Sequence, residues 1–329
     1  MTDTNPKVVI TRRLANAVLE PLAAATDLHV PPHDRPLTIG ELHQLVPGAA
    51  AIITTLNDRI DREVLAAAGP TLRIVANIAA GYDNLDLAAI TSHGAIATNT
   101  PNVLVDATAD LTLALILDIT RRVTEGDRLV RSGQTWRWDI GFMLGASIQR
   151  RRLGIIGMGA IGQSVANRAS SIGMEVVHHT RKGPNTLGPS RRIEFEELLA
   201  TADVITLHCP LTPETHHLID ADALQIMKPS AYLINTARGP LVDEAALAQA
   251  LHRRQIAGAA LDVYEHEPRI HPDLTKLENV VLTPHLGSAT VETRTRMAAL
   301  AVDNVLAVLR GAEPYTPISF RDQHAARPG

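Results

Sequence analysis

Three polar side chains stand at the ends of aliphatic runs in the C-terminal half of the chain: Arg238 follows LINTA, Glu267 closes LDVYEHE, and His285 follows VVLTP. Each has an ordinary reading on its own, as a solvated turn arginine, an acidic loop residue, and a histidine beside Pro284. Together they are a planar cation, an acid and an imidazole. A guanidinium can grip a carboxylate and a carbonyl oxygen, an imidazole can give up a proton near neutrality, and a neighbouring carboxylate orients that ring and favours its protonated form. The set suits reduction of a 2-keto acid, provided that something supplies a hydride.

A supplier is indicated by GIIGMGAIG, residues 154–162. Gly157, Gly159 and Gly162 form G-x-G-x-x-G directly after an aliphatic run and before a helical pattern, Gln163 to Ser171. With Ala160 and Ile161 between the glycines, backbone amides at the helix start can face a pyrophosphate. About twenty residues further on, such a fold usually places an Asp or Glu on the adenosine ribose. Here HHTRK offers Thr180, Arg181 and Lys182 instead. A neutral residue followed by two cations removes the repulsion of a 2′-phosphate and adds partners for it, so NADPH is expected to be preferred, with NADH possible.

These residues can meet only if the runs that carry them lie parallel in one sheet. Short aliphatic runs alternate with helical patterns in two blocks, which argues for βαβ units. The first block holds KVVIT (7–11), AAIIT (50–54), LRIVAN (72–77) and AIATN (95–99). The second holds LGIIG (153–157), EVVHH (175–179), DVITLHC (203–209), AYLINTA (231–237), AGAALDV (257–263) and NVVLTPH (279–285). In open α/β sheets ligands bind outside the carboxyl ends of the strands, where the three polar residues fall. Between the blocks, 105–130 reads as one helix with Leu111, Leu115, Ile119 and Val123 on one face, and a second helix spans about 290–310 and stops at Gly311. PYTPISF after it has nowhere to pack except back on the first block. The expected organisation is a discontinuous outer domain, 1–103 plus 288–329, and an inserted dinucleotide-binding domain, 104–287, with a loose tail at DQHAARPG.

Composition narrows the function classes. With 329 residues, 45% hydrophobic and 20% charged, the chain reads as a two-domain globular protein whose sparse aromatics, 3%, leave the cores to aliphatics. A formal charge of −4 gives no footprint for nucleic acid, and Arg150–Arg152 read as a solvated loop. Cys209 is the only cysteine, the start lacks a signal-peptide pattern, and LTLALIL (111–117) lies between Asp110 and Asp118, so no membrane partner and a cytoplasmic location are expected. The fourteen histidines include the pairs His178-His179 and His216-His217, whose spacing does not aim two ligands at one ion; no metal site is expected.

At this point the chain resembles the D-isomer-specific 2-hydroxyacid dehydrogenases over almost its whole length. NTPNVLVDATADLTLALIL (99–117), GIIGMGAIG, LHCPLTPETHHLI (207–219), INTARGPLVDEAAL (234–247), AALDVYEHEP (259–268) and TPHLGSAT (283–290) match that family's motifs in order. The resemblance implies two Rossmann-like doubly wound parallel-sheet α/β domains with a cleft between them. It implies Arg238, Glu267 and His285 as the catalytic set, and Ala80 and Gly81 in NIAAGYDN as backbone donors to the substrate carboxylate, alongside Arg238. It adds Thr108, Cys209, Pro210, Thr215, Ala237, Asp262 and His285 to the dinucleotide contacts, and it implies a homodimer with the helix from Val105 in the interface. ATADLTLAL, GMGAIG and HLGSAT are most similar to the glyoxylate/hydroxypyruvate reductase branch. A small keto acid and its R-configured hydroxy acid are then the small-molecule partners, with the pocket wall assigned to Leu56–Asn57 and the region of Trp136, Trp138 and Met143. Two alternatives accompany this reading. A phosphite dehydrogenase shares GMGAIG but carries Lys where this chain has Ala80, and a dinucleotide-sensing corepressor keeps the fold and the three residues without turnover.

Overall fold

In the computed structural model, which describes residues 5–181 and 186–318, the aliphatic runs become strands of two separate sheets. The chain divides into two units, Met1–Leu104 with Thr290–Gly329, and Val105–Ala289.

The first unit contains β1 (Lys7–Ile10), β2 (Asp27–His29), β3 (Ala51–Thr55), β4 (Ile74–Ile78) and β5 (Ile96–Thr98), all parallel in the order β2-β1-β3-β4-β5. Alternate side chains leave a strand on opposite faces. Val8, Ile10, Ile53 and Ile74 therefore join the C-terminal helix Val291–Leu309 through Ala301, Val302 and Val305. Val9, Ile52 and Val75 pack on the other face with α2 (Ile39–Leu45), α3 (Arg62–Ala68) and α4 (Leu87–His93), which follow α1 (Asn16–Ala25) in the chain. Fully buried aliphatics such as Ile52 and Ile53 each contribute about 1.5–3 kcal/mol. The segment after the C-terminal helix does return to this unit: Ile318 N–H donates to Ala97 O at 2.8 Å, and the Thr316 hydroxyl donates to Asn99 O at 2.6 Å.

The second unit begins with α5 (Val105–Arg121) and α6 (Val123–Arg131). One continuous helix over 105–130 was expected, and this is corrected. Arg122 adopts left-handed φ, 58°, its guanidinium pairs with Glu125 at 2.6 and 2.7 Å, and the Thr124 N–H donates to Asp118 at 2.7 Å. Asp118 thus satisfies a first-turn N–H of a new helix where apolar periodicity alone runs on. The strands are β6 (Arg152–Ile156), β7 (Glu175–His179), β8 (Thr186–Leu187), β9 (Ser190–Arg192), β10 (Val204–Leu207), β11 (Tyr232–Asn235), β12 (Gly258–Leu261) and β13 (Val280–Leu282). Their order is β13-β12-β11-β10-β6-β7-β9-β8, with only the β8–β9 pair antiparallel. The chain leaves β6 for β7 on one side and later returns to β10 on the other, so the strand order reverses between β6 and β10. A crevice at that point is where doubly wound sheets bind ligands. Helices α7 (Ala160–Ser171), α8 (Phe195–Thr201), α9 (Ala221–Ile226) and α10 (Glu244–His252) complete the unit. No helix of the described residues is long and apolar enough to cross a membrane.

Candidate active site

The parallel strands of the second sheet end on one edge, and several hand over a polar residue there. β11 stops at Asn235, which is buried and shapes the turn that follows. Its Oδ1 accepts the Ala237 N–H at 3.0 Å, and its Nδ2 donates to Arg238 O at 2.8 Å. The Arg238 guanidinium donates to Ala237 O at 2.8 Å, beside the sheet edge. Glycine is required next, because a Cβ on Gly239 would lie 1.9 Å from the Tyr264 carbonyl carbon. The Arg238 turn therefore packs directly on the loop that leaves β12.

β12 delivers Asp262, which is fully buried. Its carboxylate accepts the Thr283 hydroxyl at 2.6 Å and the N–H groups of Leu286 and Gly287 at 2.7 and 2.8 Å. Burial pushes its pKa up despite those bonds. Asp262 thereby ties the β12 and β13 loops together and supports His285 in left-handed φ, 55°, where the His285 N–H donates to Asp262 O at 2.9 Å. Such a conformation is uncommon for a non-glycine residue and needs support of this kind.

Held there, His285 Nδ1 lies 2.9 Å from Glu267 Oε2, and Glu267 Oε1 accepts the Tyr264 N–H at 3.0 Å. Burial works to raise the Glu267 pKa, but the His285 hydrogen bond and charge, the Tyr264 N–H and the Arg238 charge outweigh it. The result lies below the ordinary carboxylate value, so Glu267 is ionised near neutrality. With an ionised acceptor at Nδ1, that nitrogen carries a hydrogen and Nε2 is the one that can serve a substrate. An acid–base pair with a guanidinium beside it can polarise a carbonyl and protonate its oxygen.

The dinucleotide residues lie along the same edge. Gly157 follows β6 with φ 98°, and a Cβ there would meet Cys209 N at 2.5 Å, so the β6 and β10 ends touch backbone to backbone. A Cβ on Gly162 would strike Gly157 O at 2.2 Å, which brings the first turn of α7 against the loop. Gly159, the residue before α7, meets nothing within 4 Å, and Ala160 and Ile161 open the helix. Open space over a glycine at the start of a twelve-residue helix fits a pyrophosphate. Across β10, Thr215 folds the following loop by donating to Pro210 O at 2.7 Å and accepting the Thr212 N–H at 2.8 Å. Cys209 is half-buried, and desolvation pushes its thiol up to about 11 against the pull of a backbone hydrogen bond and Arg181. Thr108 on α5 donates to Gly287 O at 3.1 Å, next to the Asp262 carboxylate. Thr180 and the exposed Arg181 follow β7, and Lys182 lies outside the described residues.

Ala80 and Gly81 belong to the first unit, just past β4. Ala79 O accepts the Thr100 N–H at 2.9 Å, and Ala80 O accepts Asn99 Nδ2 at 2.7 Å. Because carbonyl and amide are trans across a peptide, these bonds aim the Ala80 and Gly81 N–H groups the other way. Leu56 and Asn57 lie past β3 in the same unit, whereas Trp136, Trp138 and Met143 lie in the second. Trp136 stacks on Phe142 at 5.9 Å, and both tryptophans are exposed.

One expectation about metals needs correction. His216 and His217 do converge with Glu265, their ligand atoms lying within 4.8 Å of one another. The arrangement is nevertheless a hydrogen bond, His217 Nε2 to Glu265 Oε1 at 2.6 Å, with the His216 ring tilted 30° against His217 at 4.1 Å. Glu265 and Glu244 carry no signal in the sequence, because an acid in YEHEP and one in VDEAAL read as ordinary loop and helix-start residues, and the His216-His217 pair alone does not show Glu265 beside it.

Comparison with known proteins adds a second line. Residues 113–287 match the family model described as D-isomer specific 2-hydroxyacid dehydrogenase, NAD binding domain. A glyoxylate reductase of Thermococcus litoralis is 42% identical over 94% of this chain and 95% of its own length. A solved Thermus thermophilus protein is 45% identical with a TM-score of 0.89, covering 95% of this chain and 100% of that one. The NADPH-dependent glyoxylate/hydroxypyruvate reductase of Sinorhizobium meliloti, solved with NADP and malonate, is 32% identical with a TM-score of 0.84 over 96% of this chain and 97% of its own.

Proposed function

The chain belongs to the D-isomer specific 2-hydroxyacid dehydrogenase family, and from that premise we propose that it reduces glyoxylate and hydroxypyruvate with NADPH as the preferred hydride donor. Keto-acid reduction with a nicotinamide dinucleotide follows from the family; substrate, donor and residue roles are the proposal. The observation that carries it is the Glu267–His285 pair at 2.9 Å, on the sheet edge that also bears Arg238 and the Gly157–Gly162 loop. The reduced nicotinamide, when bound, supplies a hydride to the keto carbon. Arg238 binds and polarises the carbonyl beside the carboxylate. His285 gives the keto oxygen its Nε2 proton, and Glu267 holds the ring and compensates its charge. The amides of Ala80 and Gly81 receive the substrate carboxylate.

Thr180 and Arg181 support the NADPH preference, since no acid repels a 2′-phosphate and a cation stands beside the site. The NADPH-dependent Sinorhizobium meliloti neighbour, solved with NADP, supports the same reading. Steady-state kcat/KM for a panel of 2-keto acids with each cofactor tests this reading. Glyoxylate and hydroxypyruvate with NADPH should lead, and turnover confined to larger keto acids or to NADH would refute it.

A homodimer completes the proposal. No residue of α6 is buried, and Val123, Val130, Trp136, Trp138, Ile140 and Leu144 are all exposed along one stretch. Exposed apolar side chains in such a run mark a surface that a second copy can cover. Light scattering should return twice the 35.4 kDa chain mass, and a monomer would overturn it. A single cysteine suits a cytoplasmic enzyme.

A further inference from the structure

The loop that carries Glu267 is fastened by groups that have no part in the chemistry proposed above. Glu244 opens α10 and is only 4% exposed. It and Glu265 exchange bonds: the Glu265 N–H donates to Glu244 Oε1 at 2.7 Å, and the Glu244 N–H donates to Glu265 Oε2 at 3.1 Å. The second Glu244 oxygen accepts the His271 N–H at 3.1 Å, beyond Glu267 in the same loop. Glu265 Oε1 is taken by His217 Nε2, and the His217 N–H donates to Pro240 O at 2.8 Å, two residues after Arg238.

Two largely buried carboxylates take backbone hydrogens that neutral amides could accept at lower desolvation cost. Glu265 Oε1 has the imidazole of His217 as its side-chain partner. That arrangement fixes both ends of the segment from 265 to 271. Inside it, Glu267 Oε1 rests on the Tyr264 N–H, one peptide away from the Glu265 N–H that Glu244 holds. Gly239 bounds the other side, since its backbone lies against the Tyr264 carbonyl. A shift of the Tyr264–Glu265 peptide therefore carries Glu267 with it.

We propose that Glu244, Glu265 and His217 are positioning residues that clamp the loop bearing Glu267 so that its carboxylate stays against His285 Nδ1. The inference rests on the roles given above to Glu267 and His285. Glu267, Asp262 and Arg238 are the charged groups that bear on that pair, and among the clamp residues only the loop position changes when the clamp is cut.

The test is kcat, KM and a pH profile of glyoxylate reduction for Glu265→Ala, Glu265→Gln and His217→Phe, with NADPH binding measured by fluorescence titration and His285→Ala run alongside. Glu265→Ala should lower kcat roughly tenfold to hundredfold, the cost of a misplaced catalytic group, and leave NADPH binding unchanged. The alkaline limb of kcat/KM should move to lower pH by about one unit, because a carboxylate no longer held at Nδ1 favours the donating form less. Glu265→Gln, which still accepts the Glu244 N–H, should recover most of the rate lost with Ala. His217→Phe cuts the outer tie alone and should shift the profile in the same direction, which keeps the test decisive if Glu265→Ala does not fold. A parental pH profile in both Glu265→Ala and His217→Phe would overturn the clamp, as would loss of NADPH binding equal to the loss of kcat. Activity surviving in His285→Ala would instead overturn the catalytic reading on which the clamp rests.

Discussion

The carboxyl edge of the second sheet handles charge in two opposite ways. Past β12 and β13, Glu267, Asp262 and His285 sit in fixed bonds of 2.6–2.9 Å; burial pushes both acids' pKa values up and prevails at Asp262, whereas the bonds and charges around Glu267 bring its value down. Past β7, Thr180 is half-buried and Arg181 is exposed to solvent. The first region can perform chemistry because each group has one position. In the proposed function the second biases which cofactor settles, and modestly, because a charge open to salt is screened. There the fixed groups govern rate and the exposed ones govern preference.

The contrast breaks first at His285. His285→Ala should lower kcat for glyoxylate reduction by about 10²–10⁴, the usual worth of a general acid, while a fluorescence titration finds NADPH binding nearly intact. Equal loss of binding would make His285 structural. Next is Arg238→Lys, which keeps the charge and loses the fork. Removing one charged hydrogen bond of about 1.5–3 kcal/mol should lower kcat/KM roughly tenfold to hundredfold, seen as a higher KM for keto acid and a lower kcat. Unchanged kinetics would take Arg238 out of the site.

The exposed corner should yield less. In Thr180→Asp with Arg181→Ala, the ratio of kcat/KM for NADPH over NADH should fall by about tenfold, and the parent ratio should itself shrink as salt is raised. A ratio unmoved by the double substitution would assign the missing ribose acid another cause. The smallest effect is on stability. Because the folded Glu267 pKa lies below its ordinary 4.5, the ionised residue contributes stability above that pH and loses it as pH falls through the folded value. The Tm difference between the parent and Glu267→Gln should therefore close as pH drops below about 4.5, and a gap that widens there would reverse the sign.

Much of this was legible from residue types. Strands such as EVVHH and the helix near 290–310 announce themselves by aliphatic runs and period, and glycines spaced as in GMGAIG encode backbone contacts that the Gly157 and Gly162 geometry requires. Arg238, Glu267 and His285 stand out because each follows a strand, where side chains leave the sheet. What escaped notice depends on partners distant in sequence. β2, with DLH, and β9, with SRR, lack an aliphatic run and form because a neighbouring strand offers an edge. The break at Arg122 is accompanied by the Arg122–Glu125 ion pair and by Asp118 accepting the Thr124 N–H. The Glu244–Glu265–His217 clamp joins three segments whose spacing carries no motif.

The most direct measurement is the configuration of the glycerate formed from hydroxypyruvate and NADPH, read by chiral chromatography as the nicotinamide absorbance falls. One edge presenting Arg238, Glu267 and His285 to a substrate held by its carboxylate should give D-glycerate alone, one molecule per NADPH consumed. L-glycerate, a racemate, or tight NADPH binding with no consumption of hydroxypyruvate or glyoxylate would contradict the account.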